Sequence, residues 1–279
     1  MSNRLTITAI LSTLFILCGC TIESEPEAQY KQRLVVDGRI ENGRSAIVML
    51  SLSHPYQEEI DTSTLQDMIV RWAKVTVSDS QRSEILTGRY DENYPTQFIY
   101  TGSEIIGQEG ESYSIRIDYS GHTWSATTTI PPSTTLENIA LESTDDEHFT
   151  ISATVPPADG YPAYMIDCST NNSPYLIPTM MGIFDGIQAS RDIPILPPLD
   201  LVNERNYTPM FNKADTITLR VATMSEASYN YWIHWENNLI NTFNPLFPPQ
   251  SNPPSNLSGD ALGLWSGYGC SYYKVRFNE

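Results

Sequence analysis

The sequence predicts a mainly β protein: an antiparallel β-sandwich of immunoglobulin-like type over residues 33–131, then a second β-rich domain over 132–279 carrying one helix near 225–242. Three observations predict it. Apolar and polar residues alternate with period two in short runs rich in Val, Ile, Thr and aromatic residues, the pattern of strands buried on one face. Turn pairs containing Gly or Asp separate the runs at the spacing of sandwiches and partly open barrels. No βαβ rhythm appears, which argues against a doubly wound parallel sheet.

In chain order, Leu34-Val35-Val36 leads to the turn-like pair Asp37-Gly38, and Ile47 to Leu52 reads as a second strand. Val70 to Ser78 alternates, Phe98-Ile99-Tyr100 is a short strand, and Tyr113, Ile115 and Ile117 interleave with Ser114, Arg116 and Asp118. Ser120-Gly121 turns the chain into His122 to Ile130. Pro131-Pro132 breaks the pattern and marks the expected domain boundary. Strands resume at 136–141, 149–155 and 163–168. Residues 170–215 then read as a long Pro-rich loop, with Pro at 174, 178, 194, 197, 198 and 209, before a strand at 216–222.

The one segment with helical periodicity is 225–242. Thr223 and Glu226 fit a capping box, and Tyr231, Trp235 and Leu239 recur at i, i+4 and i+8 with Trp232 alongside. Asn230, His234, Asn237, Asn238 and Asn241 occupy much of the opposite side, and Asn244-Pro245 ends the helix. Two last strands are expected at 262–270 and 272–277.

Arg4 followed by the apolar run Leu5 to Leu17 has the form of a signal peptide and is too short to cross a bilayer. Leu17-Cys18-Gly19-Cys20 closes it as a lipobox, so residues 1–19 are expected to be removed and Cys20 to be acylated. Buried acyl chains contribute roughly 0.8 kcal/mol per CH2, so a triacylated Cys20 is expected to hold the protein on a membrane. Residues 20–32, with Glu23, Glu25 and Glu27, read as an acidic flexible tether. The formal charge of −17 becomes −18 when the single Arg of the signal peptide is removed. That charge argues against nucleic acid, whose phosphates require clustered Lys and Arg, and against electrostatic adhesion to anionic lipid.

Of the four cysteines, Cys168 and Cys270 remain after Cys18 is removed and Cys20 is acylated. In an exported protein they would form a disulfide, stabilising by up to about 4–5 kcal/mol in the chain-entropy model. The alternative is two separately buried thiols, and the sequence leaves both open.

His54, His122, His148 and His234 are scattered, without metal-ligand spacing. Asp145-Asp146-Glu147 and Glu58-Glu59-Ile60-Asp61 lack the spacing of a calcium loop and read as solvated turns. Ser271 and Lys274 match SxxK, but on a strand they would face opposite sides and no companion motif accompanies them. No catalytic set, metal or cofactor is therefore expected. Trp232, Trp235, Trp265 and Tyr268 are the candidate ligand contacts, since flat aromatic faces bind sugars and peptides; for the helical residues among them, the spacing favours packing against a sheet.

The order of features carries a resemblance. A lipobox is followed by Val35-Val36-Asp37-Gly38-Arg39-Ile40, by Val48 to Tyr56 and by Ala73 to Asp79. Gly110 to Ile117 and Trp124 to Pro131 come next, then Tyr229 to Trp232, Asn244 to Phe247, Ser255 to Gly259 and Leu262 to Gly267. This layout resembles the Bacteroidetes outer-membrane lipoproteins known as domain of unknown function 4249, over nearly the whole mature chain. The resemblance implies a lipoprotein of the outer membrane and cell surface, partnered by a TonB-dependent receptor, with no assigned catalytic residue. The expected function is non-enzymatic ligand capture in nutrient uptake, by the aromatic C-terminal region and the loop near 170–215. The alternative is an adhesive immunoglobulin-like module with no small ligand.

Overall fold

The computed structural model describes residues 30–55, 61–156, 163–171, 175–186, 191–198, 207–242 and 251–277. The signal peptide, Cys20 and the tether as far as residue 29 lie outside them. Gln32–Glu279 form one compact unit.

The protein is mainly β. Its elements are β1 (Leu34–Glu41), β2 (Ser45–Leu52), α1 (Thr62–Met68), β3 (Lys74–Ser78), β4 (Ser83–Ile85), β5 (Thr87–Tyr90), β6 (Phe98–Ile106), β7 (Ser112–Tyr119) and β8 (His122–Thr129). There follow β9 (Glu137–Ser143), β10 (His148–Thr154), β11 (Ala163–Ser169), β12 (Ile177–Asp185), β13 (Ile193–Ile195), β14 (Phe211–Asn212), β15 (Thr216–Met224), α2 (Glu226–Thr242) and β16 (Leu262–Arg276).

One eight-stranded sheet, in the order β12-β11-β15-β16-β1-β2-β6-β5, runs through the molecule and takes strands from both sides of Pro131-Pro132. Two four-stranded sheets accompany it: β4-β3-β7-β8, and a second built around β10 with β9, β13 and β14. All pairings between named strands are antiparallel except β1 with β16, which run parallel from Val35↔Leu262 to Glu41↔Tyr268. The first and last strands of the unit are thus neighbours, a long-range pairing that local alternation does not reveal.

Each small sheet closes a separate core against the same face of the large one. Val36, Ile40, Val48 and Leu50 of the large sheet meet Val75, Val77, Ile115 and Ile117 in the first core. Ile166, Cys168, Leu219 and Val221 meet Phe149, Ile151, Ile195 and Phe211 in the second. β16 serves both, with Trp265 in the first and Val275 in the second. Fully burying a side chain of this size contributes roughly 1.5–3 kcal/mol, so each core is a substantial source of stability.

The two strands expected at the C-terminus are one strand of 15 residues. Its continuity depends on close backbone approach midway. A Cβ on Gly267 would lie 2.7 Å from the Thr129 carbonyl oxygen, and one on Gly269 would meet the Pro131 carbonyl oxygen. Only glycine leaves room for the segment that links the two small sheets to cross β16 there.

The stretch expected to be loop, 170–215, contains β12, β13 and β14. Pro178 and Pro194 hid these strands from sequence reasoning. β12 is an edge of the eight-stranded sheet and β13 lies at the end of its own sheet, where a missing N–H donor is tolerated. The long helix agrees with expectation, but its cap does not. The Ser228 N–H donates to Ser225 Oγ at 3.3 Å, whereas Thr223 still belongs to β15 and its buried hydroxyl has no partner among the described residues. A short helix, α1, went unread; Asp61 caps it by accepting the Thr64 N–H at 2.7 Å.

Candidate functional site

The opposite face of the eight-stranded sheet carries the residues one step out of phase with the cores: Asp37, Arg39 and Glu41 on β1, Asp167 on β11, Arg220 on β15, and Tyr268 and Tyr272 on β16. α2 lies over this face and is held there by polar contacts. Ser228 Oγ and Ser266 Oγ are 2.5 Å apart, Trp232 Nε1 donates to the Tyr268 hydroxyl at 2.7 Å, and Glu236 Oε1 accepts the Met181 N–H at 2.8 Å. Tyr229, Trp232 and Ile233 also pack on Met165, Ala222 and Met224. A cavity of about 660 Å³ remains between the sheet, the helix and the segments at 93–95 and 175–178. Its size lies within the range of small-molecule sites.

A buried ionic cluster forms part of the floor. Arg220, only 2% exposed, donates from Nε and Nη2 to Asp167 Oδ2 at 2.6 Å each and from Nη1 to Glu41 Oε1 at 2.5 Å. The Tyr272 hydroxyl donates to the other Glu41 oxygen. Arg39 and Arg44 approach Glu41 at 3.5 and 3.7 Å, and Arg44 stacks on Tyr272 with Cζ 4.4 Å from the ring centroid. Arg220 faces Asp167 directly across β11 and β15, then reaches past β16 to Glu41 on β1, so the cluster ties four adjacent strands together.

Burial works to raise the Glu41 pKa, but the Arg220 charge, then Arg39 and the Tyr272 hydrogen bond, bring it below the ordinary value. Burial opposes the charge on Arg220 too, and Asp167 with Glu41 outweighs it and holds the guanidinium protonated. Removing one member would strand an uncompensated buried charge.

Asp37 differs. It is exposed at the cavity, and the neighbouring protein partly desolvates its carboxyl, which raises its pKa against the pull of Arg39 and Arg220. Its neighbours across the sheet are Met49 on β2 and Leu264 on β16. Burial, with the nearby Asp37 charge, pushes the Tyr231 hydroxyl up to about 12, so it remains neutral.

Of the four aromatic residues singled out in the sequence, Trp232, Trp235 and Tyr268 come together on the cavity wall. Trp265 does not. It is fully buried in the first core on the other face, where Nε1 donates to the Tyr113 carbonyl at 3.0 Å and the ring covers Gly38. A Cβ on Gly38 would stand 2.9 Å from Trp265 Cε3.

The disulfide alternative is also corrected. Cys168 and Cys270 are free, buried thiols. Cys168 lies opposite Leu219 in the second core, and Cys270 lies opposite Ala222 on the α2 side. With β15 between their strands and their side chains on opposite faces, they cannot reach bonding geometry. Burial pushes both thiols well above the usual range, which keeps them protonated and unreactive.

The described part of the acidic segment at 145–147 is a turn: Asp145 Oδ1 accepts the Glu147 and His148 N–H groups at 2.8 and 2.7 Å. No three His, Cys, Asp or Glu among the described residues are placed to hold a metal ion.

Sequence reasoning missed Arg220, Asp167 and Glu41. The available signal was a charge inside an otherwise apolar strand, Asp167 within Ala163 to Cys168 and Arg220 within Thr216 to Ala222, because lone charges there must be paired to be buried.

No curated protein matches this sequence. The model of a family described as a domain of unknown function, DUF4249, matches residues 21–270 and so takes in β1, β11, β15, α2 and the part of β16 that flanks Asp37; the chain belongs to that family.

Proposed function

We propose that the protein is a ligand-capture lipoprotein of the outer membrane, anchored through Cys20 at the cell surface, that serves a TonB-dependent receptor in nutrient uptake. The observation that carries this reading is the aromatic and charged cavity of about 660 Å³ under α2. Recessed sites of this size, largely apolar with a few placed polar groups, suit small ligands, and the buried ionic cluster keeps the floor rigid. The lipobox ending at Cys20 supports the anchor, and an anchored binding body needs a membrane partner to pass its ligand on. An adhesive immunoglobulin-like module would have no use for a recessed cavity, so capture is the stronger reading.

Three measurements test it. The tagged lipoprotein should co-purify with an outer-membrane receptor, and Cys20→Ala should release it from the membrane fraction. A panel of sugars, peptides and haem should raise the melting temperature of the wild type but not of Trp235→Ala. A preparation without a receptor, together with no thermal shift across the panel, would sink the proposal.

A further inference from the structure

We infer that the cavity takes an organic cation, a protonated or quaternary amine on an apolar body, with Asp37 as its counter-ion and the aromatic residues of α2 as its walls. This rests on the capture reading and names the ligand class for the same site.

The other charges of the cavity are engaged. Arg220 binds Asp167 and Glu41, while Arg39 and Arg44 approach Glu41. Arg44 also lies toward the Glu41 end of β1, and Glu41 is four residues from Asp37, about 13 Å along an extended strand. Asp37 is different: among the described residues, no hydrogen bond or ion pair reaches its carboxylate. It rises between Val35 and Arg39 along β1 and between Met49 and Leu264 across the sheet. Its carboxylate is exposed to the cavity and open to pairing with a cation that enters there.

The facing helix supplies the rest. Tyr231 and Trp232 meet edge to face, with centroids 5.3 Å apart at 87°, and Trp232 meets Trp235 likewise at 5.5 Å and 77°. Three rings, each nearly perpendicular to the next, make a corner whose π faces attract a cation. Tyr231, Trp232 and Trp235 line the same cavity as Asp37, so the corner and the counter-ion open into one space.

A single carboxylate with aromatic walls is poor chemistry for a metal ion, which needs several hard donors. An anion would meet the Asp37 charge, and the arginines that might receive it are already committed to Glu41 and Asp167.

The test compares choline with 3,3-dimethylbutan-1-ol, its neutral carbon isostere, by calorimetry and tryptophan fluorescence on the mature protein. Choline should bind at least about tenfold more tightly than the alcohol. Asp37→Asn should abolish that preference while leaving the alcohol's affinity unchanged, and Trp235→Ala should weaken both probes. Circular dichroism confirms that each variant is folded. Equal binding of the two probes by the wild type, binding of neither, or an intact preference in Asp37→Asn overturns the inference. If the probes bind equally and Trp235→Ala weakens both, capture stands and only the cation assignment falls. If neither probe binds and the sugar, peptide and haem panel is also silent, capture falls too.

Discussion

Along β1, Val36 and Ile40 enter an apolar core, while Asp37, Arg39 and Glu41, one residue out of phase, face the cavity. β16 repeats the division, with Trp265 in the core and Tyr268 and Tyr272 on the cavity side. The two faces of one sheet therefore use different physics. The core face holds by close packing, where every lost methylene is felt. The cavity face holds by charge pairing, where the partners together cost little but any one alone costs a great deal.

The largest effect should come from breaking a pair on the cavity face. Arg220→Met leaves Glu41 and Asp167 buried without their cation and should destabilise by about 3–5 kcal/mol, read from denaturant unfolding. If the cluster is a paired unit, the triple variant Arg220→Met, Glu41→Gln, Asp167→Leu should recover most of that loss. A triple variant as unstable as the single one would show that the cost lies in packing.

Two tryptophans then separate the faces. Trp265→Ala should cost about 3–5 kcal/mol, the range for an aromatic residue removed from a core. Trp235→Ala, at a half-buried position on the cavity wall, should cost under about 1 kcal/mol while weakening ligand binding. Equal stability losses would erase the distinction.

A smaller effect with a definite sign belongs to Asp37. Its folded pKa is raised above 3.8, so the folded state binds the proton more tightly than the unfolded state. Stability from this group is therefore present below pH 3.8 and is lost as pH rises through the raised value. Asp37→Asn should be more stable than wild type at neutral pH, with the gain vanishing toward pH 3.8. Glu41 runs the other way: its folded pKa is lowered from 4.5, so its contribution is present above 4.5 and is lost as pH falls through the lowered value. Melting temperatures across this pH range check both signs.

The smallest effect is a null one. Reducing agent should leave the melting temperature unchanged, and peptide mapping should find Cys168 and Cys270 alkylated only after unfolding, since both are free and buried.

Much of the fold was legible because half-buried strands reveal themselves locally. The alternation of Tyr113, Ile115 and Ile117 is the burial pattern of β7, and the spacing of Tyr231, Trp235 and Leu239 falls within α2. The pairing of β1 with β16 was not legible, because nothing in residues 34–41 indicates a partner more than 220 positions away. The site divides in the same way. Aromatic composition pointed to Trp232, Trp235 and Tyr268, but gave no means of telling Trp265 from them, since the sheet face a strand residue occupies depends on register.

The sequence by itself determined the β class, the long helix and most strand positions, because backbone propensity and alternation act over a few residues. Only the tertiary structure decided that one sheet would back two cores, that Cys168 and Cys270 would lie on opposite faces, and that Glu41, Asp167 and Arg220 would meet on the cavity floor. Those outcomes depend on which strands become neighbours, and it is the burial of both sheet faces at once, rather than any local pattern, that selects the neighbours.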